Sequence, residues 1–408
     1  MISLTQYLIE GGLAGHMSHI IDCEDYTCAD LKNLIKDLFS GNITDITEKT
    51  DGLQIMVSMD LSGELKFYRN IGDLESGGMT LETLKTKFSK PEISEAYYEA
   101  GKLLTKILNK ISVEFFHPNE YTLKCLNCEC LNTKTENVIP YGRNIVDIHN
   151  ISIFHKDGNE KWNSGGTSED GLDEISQACK DVENTWVSPK IIISVTEESD
   201  KLVQEFYKEL DKIFNGDDTM TIEEWKKDRF QELTSDDETS EWYWIGDSAE
   251  GAEILYDRWF NGKKNINLRI LKNTYYPKYK DKLEEIEKSK KWRDTISEVL
   301  FPLDNLFLKI GNEAIKLCNN LLNSGEIGTK SIKEISQKLK DTVSDIKSSG
   351  VVSDQIKLSR ELARFEALGS NPINATEGLV IKYNNRILKL TGTFAPLNQI
   401  LGLSKYKK

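Results

Sequence analysis

The sequence predicts an α+β chain in which a core of antiparallel sheets is interrupted by a large, mainly helical block. Three observations carry this. Runs of period-2 alternation lie within 1–155 and return in 371–408. Charged patterns at helical spacing fill the stretch between them. All seven tryptophans (162, 186, 225, 242, 244, 259 and 292) fall in that middle stretch, and large aromatics anchor a core of their own. The expected division is 1–155 as the first part of the core, 156–370 as a tryptophan-rich insertion, and 371–408 as the closing strands. A chain of 408 residues has room for about two domains.

Taken in order, DLKNLIKDLF (30–39) spaces its apolar residues as a helix does. DGLQIMVSMD (51–60) and ELKFYR (64–69) alternate and read as a hairpin joined near Ser62-Gly63. A helix is expected over 92–110, with strands near 124–131 and 145–154. The insertion shows helical patterns at 199–214, 221–233, 249–261, 280–323, 329–348 and 352–368. Strands are expected to return only in EGLVIKYNNRILKLTG (377–392), where Asn384-Asn385 makes a tight turn. There is no internal repeat and no low-complexity tract.

The net charge of −14 excludes a protein that coats nucleic acid through its overall field. By segment the balance is −8 over 1–155, −11 over 156–370 and +5 over 371–408, so a phosphate site is expected to include the last segment. No apolar run approaches the roughly 20 residues of a membrane span, and MISLTQYLIEGG lacks the basic start of a leader. The chain therefore reads as a cytoplasmic protein with no membrane partner. Seven cysteines, an odd number at low density, read as reduced thiols. Cys125, Cys128 and Cys130 lack a second pair of zinc ligands and read as strand residues, with Cys128 and Cys130 on one face and Glu129 on the other. His16 and His19 in GHMSH have no evident carboxylate partner and read as a loop.

One short stretch carries more. In TEKTDGLQI (47–55), Lys49 stands two places before Asp51-Gly52 and just ahead of a strand. Arg69-Asn70 follows about 20 residues on, Glu129 lies in a strand, Phe154 ends another, and EGLVIK precedes ILKLTG. This series resembles the covalent nucleotidyltransferase superfamily, which comprises ATP-dependent DNA ligases, RNA ligases and mRNA capping guanylyltransferases. Within it the chain looks most like ligase-like proteins of large bacteriophages. EKTDG is similar to the nucleophile motif, YRN to the arginine motif after it, NCECLN to the motif with a ribose-binding glutamate, and IHNISIF to the strand with a base-stacking aromatic. EGLVIK and LKLTG are similar to the last two motifs. GGLAGHMSH, TENVIPYG and LTGTFAPLNQILGL add to the phage-like character. The resemblance spans 1–155 and 371–408.

The resemblance implies a nucleotidyltransferase fold, an ATP-grasp-like ligase catalytic core of antiparallel sheets. It implies Lys49 as the nucleophile that attacks the nucleotide α-phosphate. Glu48, Arg69, Glu129, Phe154, Lys382 and Lys389 would bind the nucleotide, and Glu377 would hold Mg2+ or Mn2+. Each residue type suits its role: a carboxylate for ribose hydroxyls or a hard cation, a guanidinium or ammonium for phosphate, a ring for a purine. By the residues alone, Arg69 and Glu129 read equally as solvated strand residues, and Phe154 as core.

Two departures narrow the implication. Where the family often carries two lysines separated by one residue, Lys389 is followed by Leu390 and Thr391. Only 16 residues follow Gly392, too few for the five strands of a C-terminal OB barrel. The expected activity is then an ATP-dependent polynucleotide ligase, in particular an RNA ligase, acting on RNA or on nicked or single-stranded ends. The alternatives are a GTP-using capping-type transferase and a non-catalytic phage binding or assembly protein on the same core.

Overall fold

Alternating side chains and the turn residues between them set the strands. In the computed structural model, which describes residues 17–235, 241–262, 267–369 and 373–405, ten strands follow in chain order. β1 is Ser18–His19, β2 Ile46–Lys49, β3 Leu53–Met59, β4 Leu65–Tyr68 and β5 Thr122–Leu131. β6 is Ile145–Lys156, β7 Trp162–Ser168, β8 Thr185–Val187, β9 Gly378–Tyr383 and β10 Arg386–Thr391. With the helices between them they make a mixed α+β chain of open antiparallel sheets.

The described residues divide into two units, one within 18–42 and 195–310 and the other within 43–194 and 311–405. Residues 156–194 and 311–369, which the composition shift places in the insertion, thus share a unit with β2 to β6.

In that larger unit one sheet runs β4-β3-β5-β6-β7. β6 has twelve residues, and its outer edge is shared: Ile151 to Lys156 pair with β7, while Val146 to Ile148 pair in parallel with β8. β7 and β8 correct the expectation that strands return only after 370. β7 reads WNSGGTS, whose polar and glycine residues carry no apolar alternation because the strand is an exposed sheet edge. One face of this sheet is apolar: Ile55, Val57, Leu126, Cys128, Cys130, Val146 and Ile148 pack under Tyr97, Leu104 and Ile107 of the helix Pro91–Leu108. Cys128 and Cys130 face this core, as the alternation predicts, and the described cysteines are all free thiols.

Elsewhere in the same unit β9 pairs antiparallel with β10 on one side and with β2 on the other. The β9–β10 turn is made by Asn384 and Asn385, both at positive φ, which asparagine tolerates best after glycine. The helices Gly325–Ser349, Val352–Glu366 and Phe394–Lys405 pack together through Ile335, Ile346, Leu358, Leu397 and Ile400. Phe394–Lys405 takes up most of the LTGTFAPLNQILGL stretch.

The smaller unit is helical apart from β1 and short turns. Thr27 and Thr221 each accept an N3 backbone N–H and cap the helices Cys28–Phe39 and Ile222–Leu233. Trp242, Trp244 and Trp259 lie in one core with Phe230, Tyr256 and Tyr276, so the tryptophans do anchor a core. Trp225 is buried against Phe214. Trp162 and Trp186, by contrast, stand on β7 and β8 of the larger unit. The expected 280–323 helix is two, Lys280–Ser289 and Trp292–Lys316, broken at Lys290 in the left-handed region. No helix among the described residues is long and apolar enough to cross a membrane.

Candidate active site around Lys49

Lys49 is the last residue of β2, and Glu377 immediately precedes β9, its neighbour. Their pairing puts Lys49 opposite Gly378, and the Lys49 ammonium meets a Glu377 carboxylate oxygen at 2.5 Å, both side chains almost buried. Alternation then decides which lysines share this face. Lys49, Thr47, Gly378, Val380, Lys382 and Lys389 alternate onto one side, with Lys389 opposite Val380 and Val380 opposite Thr47. The three lysines proposed for phosphate therefore lie on one face, Lys389 buried and Lys382 exposed.

Asp51-Gly52 does two structural jobs. The Asp51 carboxylate accepts backbone N–H groups of Val138 (2.8 Å) and Ile139 (3.0 Å) and the side-chain amide of Asn137, while its own N–H donates to the Tyr141 hydroxyl. It thus holds the TENVIPYG stretch against β2. At Gly52 an added Cβ would sit 2.8 Å from the Cys130 carbonyl and 2.9 Å from Glu129 Cγ. Glycine lets β3 start close against β5, and its N–H donates to Glu129 (3.2 Å).

Glu129 stands on the face of β5 opposite the apolar core, paired with Gln54 on β3 and Asp147 on β6. Burial pushes its carboxyl up to about 8; the charges of Glu377, Asp51 and Asp147 add to this and Lys49 opposes it. Between about 4.5 and 8 the folded protein therefore holds a proton that the unfolded chain has released, and stability falls as pH rises through that window. Glu129→Gln is expected to remove about 2 kcal/mol of that decline, read from denaturant midpoints at pH 5 and 8. An unchanged slope would show that the carboxyl titrates normally.

The structure brings Lys49, Glu377 and Glu129 together, places Lys389 and Lys382 on the sheet face of Lys49, and sends three other expected residues elsewhere. Glu48 alternates to the far face of β2, where its carboxylate accepts the Leu322 N–H at 2.6 Å; burial raises it to about 7. Arg69 follows Tyr68 and turns to the apolar-core side, its guanidinium 5.4 Å from the Phe88 ring centroid and 5.3 Å from that of Tyr97. Phe154 is on Glu129's face but wholly enclosed by Met56, Tyr68, Leu74, Leu123, Cys125 and Trp162. With no open ring face it packs and does not stack on a base. Phe154→Ala is expected to cost about 3 kcal/mol of stability, measured by chemical denaturation, with nucleotide affinity per folded molecule unchanged.

The sequence reading missed a polar cluster next to Lys49. Asp147, buried, accepts Thr50 Oγ1 (3.2 Å) and Ser188 Oγ (2.7 Å), and Ser188 also contacts His149 Nδ1 (2.9 Å). Burial is the main cause that raises the Asp147 carboxyl, opposed by His149 and the two hydroxyls. His149 is a bulge residue: Cys128 faces Ile148 and Asn127 faces Asn150, so His149 is the extra residue on β6. A bulge has no strong sequence signal, and Ser188 lies 39 residues away in a loop, so only folding joins them.

Of the two histidines in GHMSH, His16 lies outside the described residues; His19 donates its N–H to Asp22 at the start of a short turn. In the smaller unit Cys28, Asp211 and Asp218 gather, but Lys32 pairs with both carboxylates (2.6 and 2.5 Å) and supplies their counter-charge. No family model, no curated protein and no solved structure matches the chain.

Proposed function

We propose that the chain is an ATP-dependent polynucleotide ligase, in particular an RNA ligase, that works through a covalent Lys49–AMP intermediate. The observation that carries this is the buried Lys49–Glu377 pair on a sheet face with Lys389 and Lys382, beside Glu129. A surface lysine beside a turn has no need of a buried carboxylate or of two further cations on its face. A triphosphate would bring its negative charge to those cations.

In this reading the lone pair of Lys49 Nζ attacks the α-phosphorus. The bond from that phosphorus to the α–β bridging oxygen breaks, pyrophosphate leaves, and a phosphoramidate remains once the nitrogen has lost its protons. Opening of the Lys49–Glu377 pair must precede attack, because the free amine and not the ammonium is the nucleophile. Lys389 and Lys382 hold the negative charge that builds on the phosphates. Glu129 accepts hydrogen bonds from the ribose hydroxyls. The oxygen of a 5′-phosphate end then attacks the same phosphorus and releases Lys49, and a 3′-hydroxyl displaces AMP to seal the ends.

Glu377, Glu129 and Asp147 offer only carboxylate oxygen, the donor type a hard divalent cation takes. Glu377 would hold Mg2+ or Mn2+ together with nucleotide phosphates. Such a cation would supply positive charge to the phosphates. The reading is tested with the full chain, α-labelled ATP or GTP and magnesium, resolved on a denaturing gel. A labelled band with ATP, and joining of 5′-phosphorylated RNA, is the expected result. Label from GTP alone would favour a capping-type transfer, and no label from either nucleotide would leave a binding protein.

A further inference from the structure

Beyond Glu129 the same sheet face carries a row of amides that nothing so far employs. Gln54, Glu129 and Asp147 are cross-strand partners, and one step further along come Met56, Asn127 and Asn150. Two residues of strand separate the rows, roughly 7 Å. Gln54, Glu129, His149 and Asn150 are all partly open, whereas Leu123, Cys125 and Phe154 further along are buried and close the floor. The partly open part of the face thus runs from Gln54 and Glu129 to Asn150, with Met56 and Asn127 buried beside it.

The two asparagines of that row differ in what they are free to bind. Asn127 Oδ1 accepts Gln54 Nε2 at 3.0 Å and is committed. Asn150 Oδ1 is enclosed and has no hydrogen-bond partner, and the Ser152 hydroxyl two residues on is likewise enclosed and unpartnered. A buried carbonyl oxygen left unpaired is a cost that a bound donor would recover. The bulge at His149 is what turns Asn150 to this face.

We propose that Asn150 reads the base of the nucleotide and selects adenine over guanine; this rests on the nucleotidyl transfer proposed above. With its α-phosphate at Lys49 and its ribose at Glu129, a nucleotide lies along β5, and its base falls at the next row. An asparagine amide matches the adenine edge in both directions, accepting from the N6 amine and donating to N7. Guanine presents O6 and N7, two acceptors, so the Asn150 carbonyl would face an oxygen and stay unpaired. A half-turn of the amide about its last bond exchanges Oδ1 and Nδ2, so either can face the base.

The test compares the wild type with Asn150→Leu, similar in volume but without donor or acceptor, by the efficiency of covalent labelling. The probes are ATP, GTP and purine riboside triphosphate, which lacks the N6 amine. Wild type is expected to prefer ATP, and Asn150→Leu to lose 10–100-fold with ATP and under threefold with GTP. Purine riboside triphosphate should be poor with wild type and equal to ATP with Asn150→Leu. Asn150→Asp, which still accepts but cannot donate to N7, should fall between the two and guards against a folding defect in the leucine variant. An unchanged ATP-to-GTP ratio in both variants, or a wild type that prefers GTP, would overturn the assignment to Asn150 while leaving the lysyl intermediate standing. A wild type labelled by no nucleotide would overturn the transfer reading and this one with it.

Discussion

Lys49→Ala is expected to abolish covalent labelling by ATP, a loss of at least about a thousandfold, since no other group can form the same bond. Lys49→Arg should be equally inactive, because guanidinium stays protonated at any working pH and has no lone pair to offer. The alanine variant should nonetheless fold. Lys49 ends β2 and pairs with Glu377, so its loss removes an ion pair at a strand end and leaves the β2–β9 backbone pairing in place. Thermal melting alongside the gel assay separates the two effects. A labelled band of undiminished strength in either variant would remove Lys49 from the chemistry and return it to the role of a buried counter-ion.

The second large effect is expected on stability, at Gly378. It lies at the middle of three strands, opposite Lys49 on β2 and Thr391 on β10. A Cβ there would sit 2.2 Å from the Leu390 carbonyl oxygen and 3.1 Å from its carbon. Both are backbone atoms of the neighbouring strand and cannot swing aside. By strand propensity, glycine to valine is an improvement of up to about 1 kcal/mol. The clash should outweigh it, because forced overpacking costs about 1–3 kcal/mol even where side chains can shift. Gly378→Val should therefore destabilise by about 2 kcal/mol, and labelling should fail because Glu377 and Lys49 lose their register. Val380→Ala, two residues along and half-buried, is the control and should cost about 1 kcal/mol. If Gly378→Val proved as stable as the control, the strands would have to lie further apart than they do here.

Much of this was legible in the amino-acid sequence, for reasons of period. Alternation marked β3, β4, β5, β6, β9 and β10, and the same alternation places Cys128 and Cys130 in the core and Glu129 on the other face. Helical spacing marked most long helices, and the motif order drew Lys49, Glu129, Glu377, Lys382 and Lys389 into one hypothesis before any contact was known. These are local properties, set by which face each side chain takes.

What only the tertiary structure decided depends on residues far apart in the chain. Phe154 and Asn150 both point to Glu129's side of β6, and nothing local says that Tyr68, Leu74 and Trp162 close over the first and leave the second partly open. Arg69 shares the parity of Phe67 and so starts on the apolar-core side, and Phe88 and Tyr97, from a separate segment, hold its guanidinium there. Glu48 stands beside the nucleophile in sequence, but the pleat turns it away, to a backbone N–H 274 residues further along the chain. The bulge that puts His149 and Asn150 side by side is a mismatch between two strands, and no single strand encodes it. Period determines the face a residue takes; packing from distant segments decides whether that face is a core, a surface or a site.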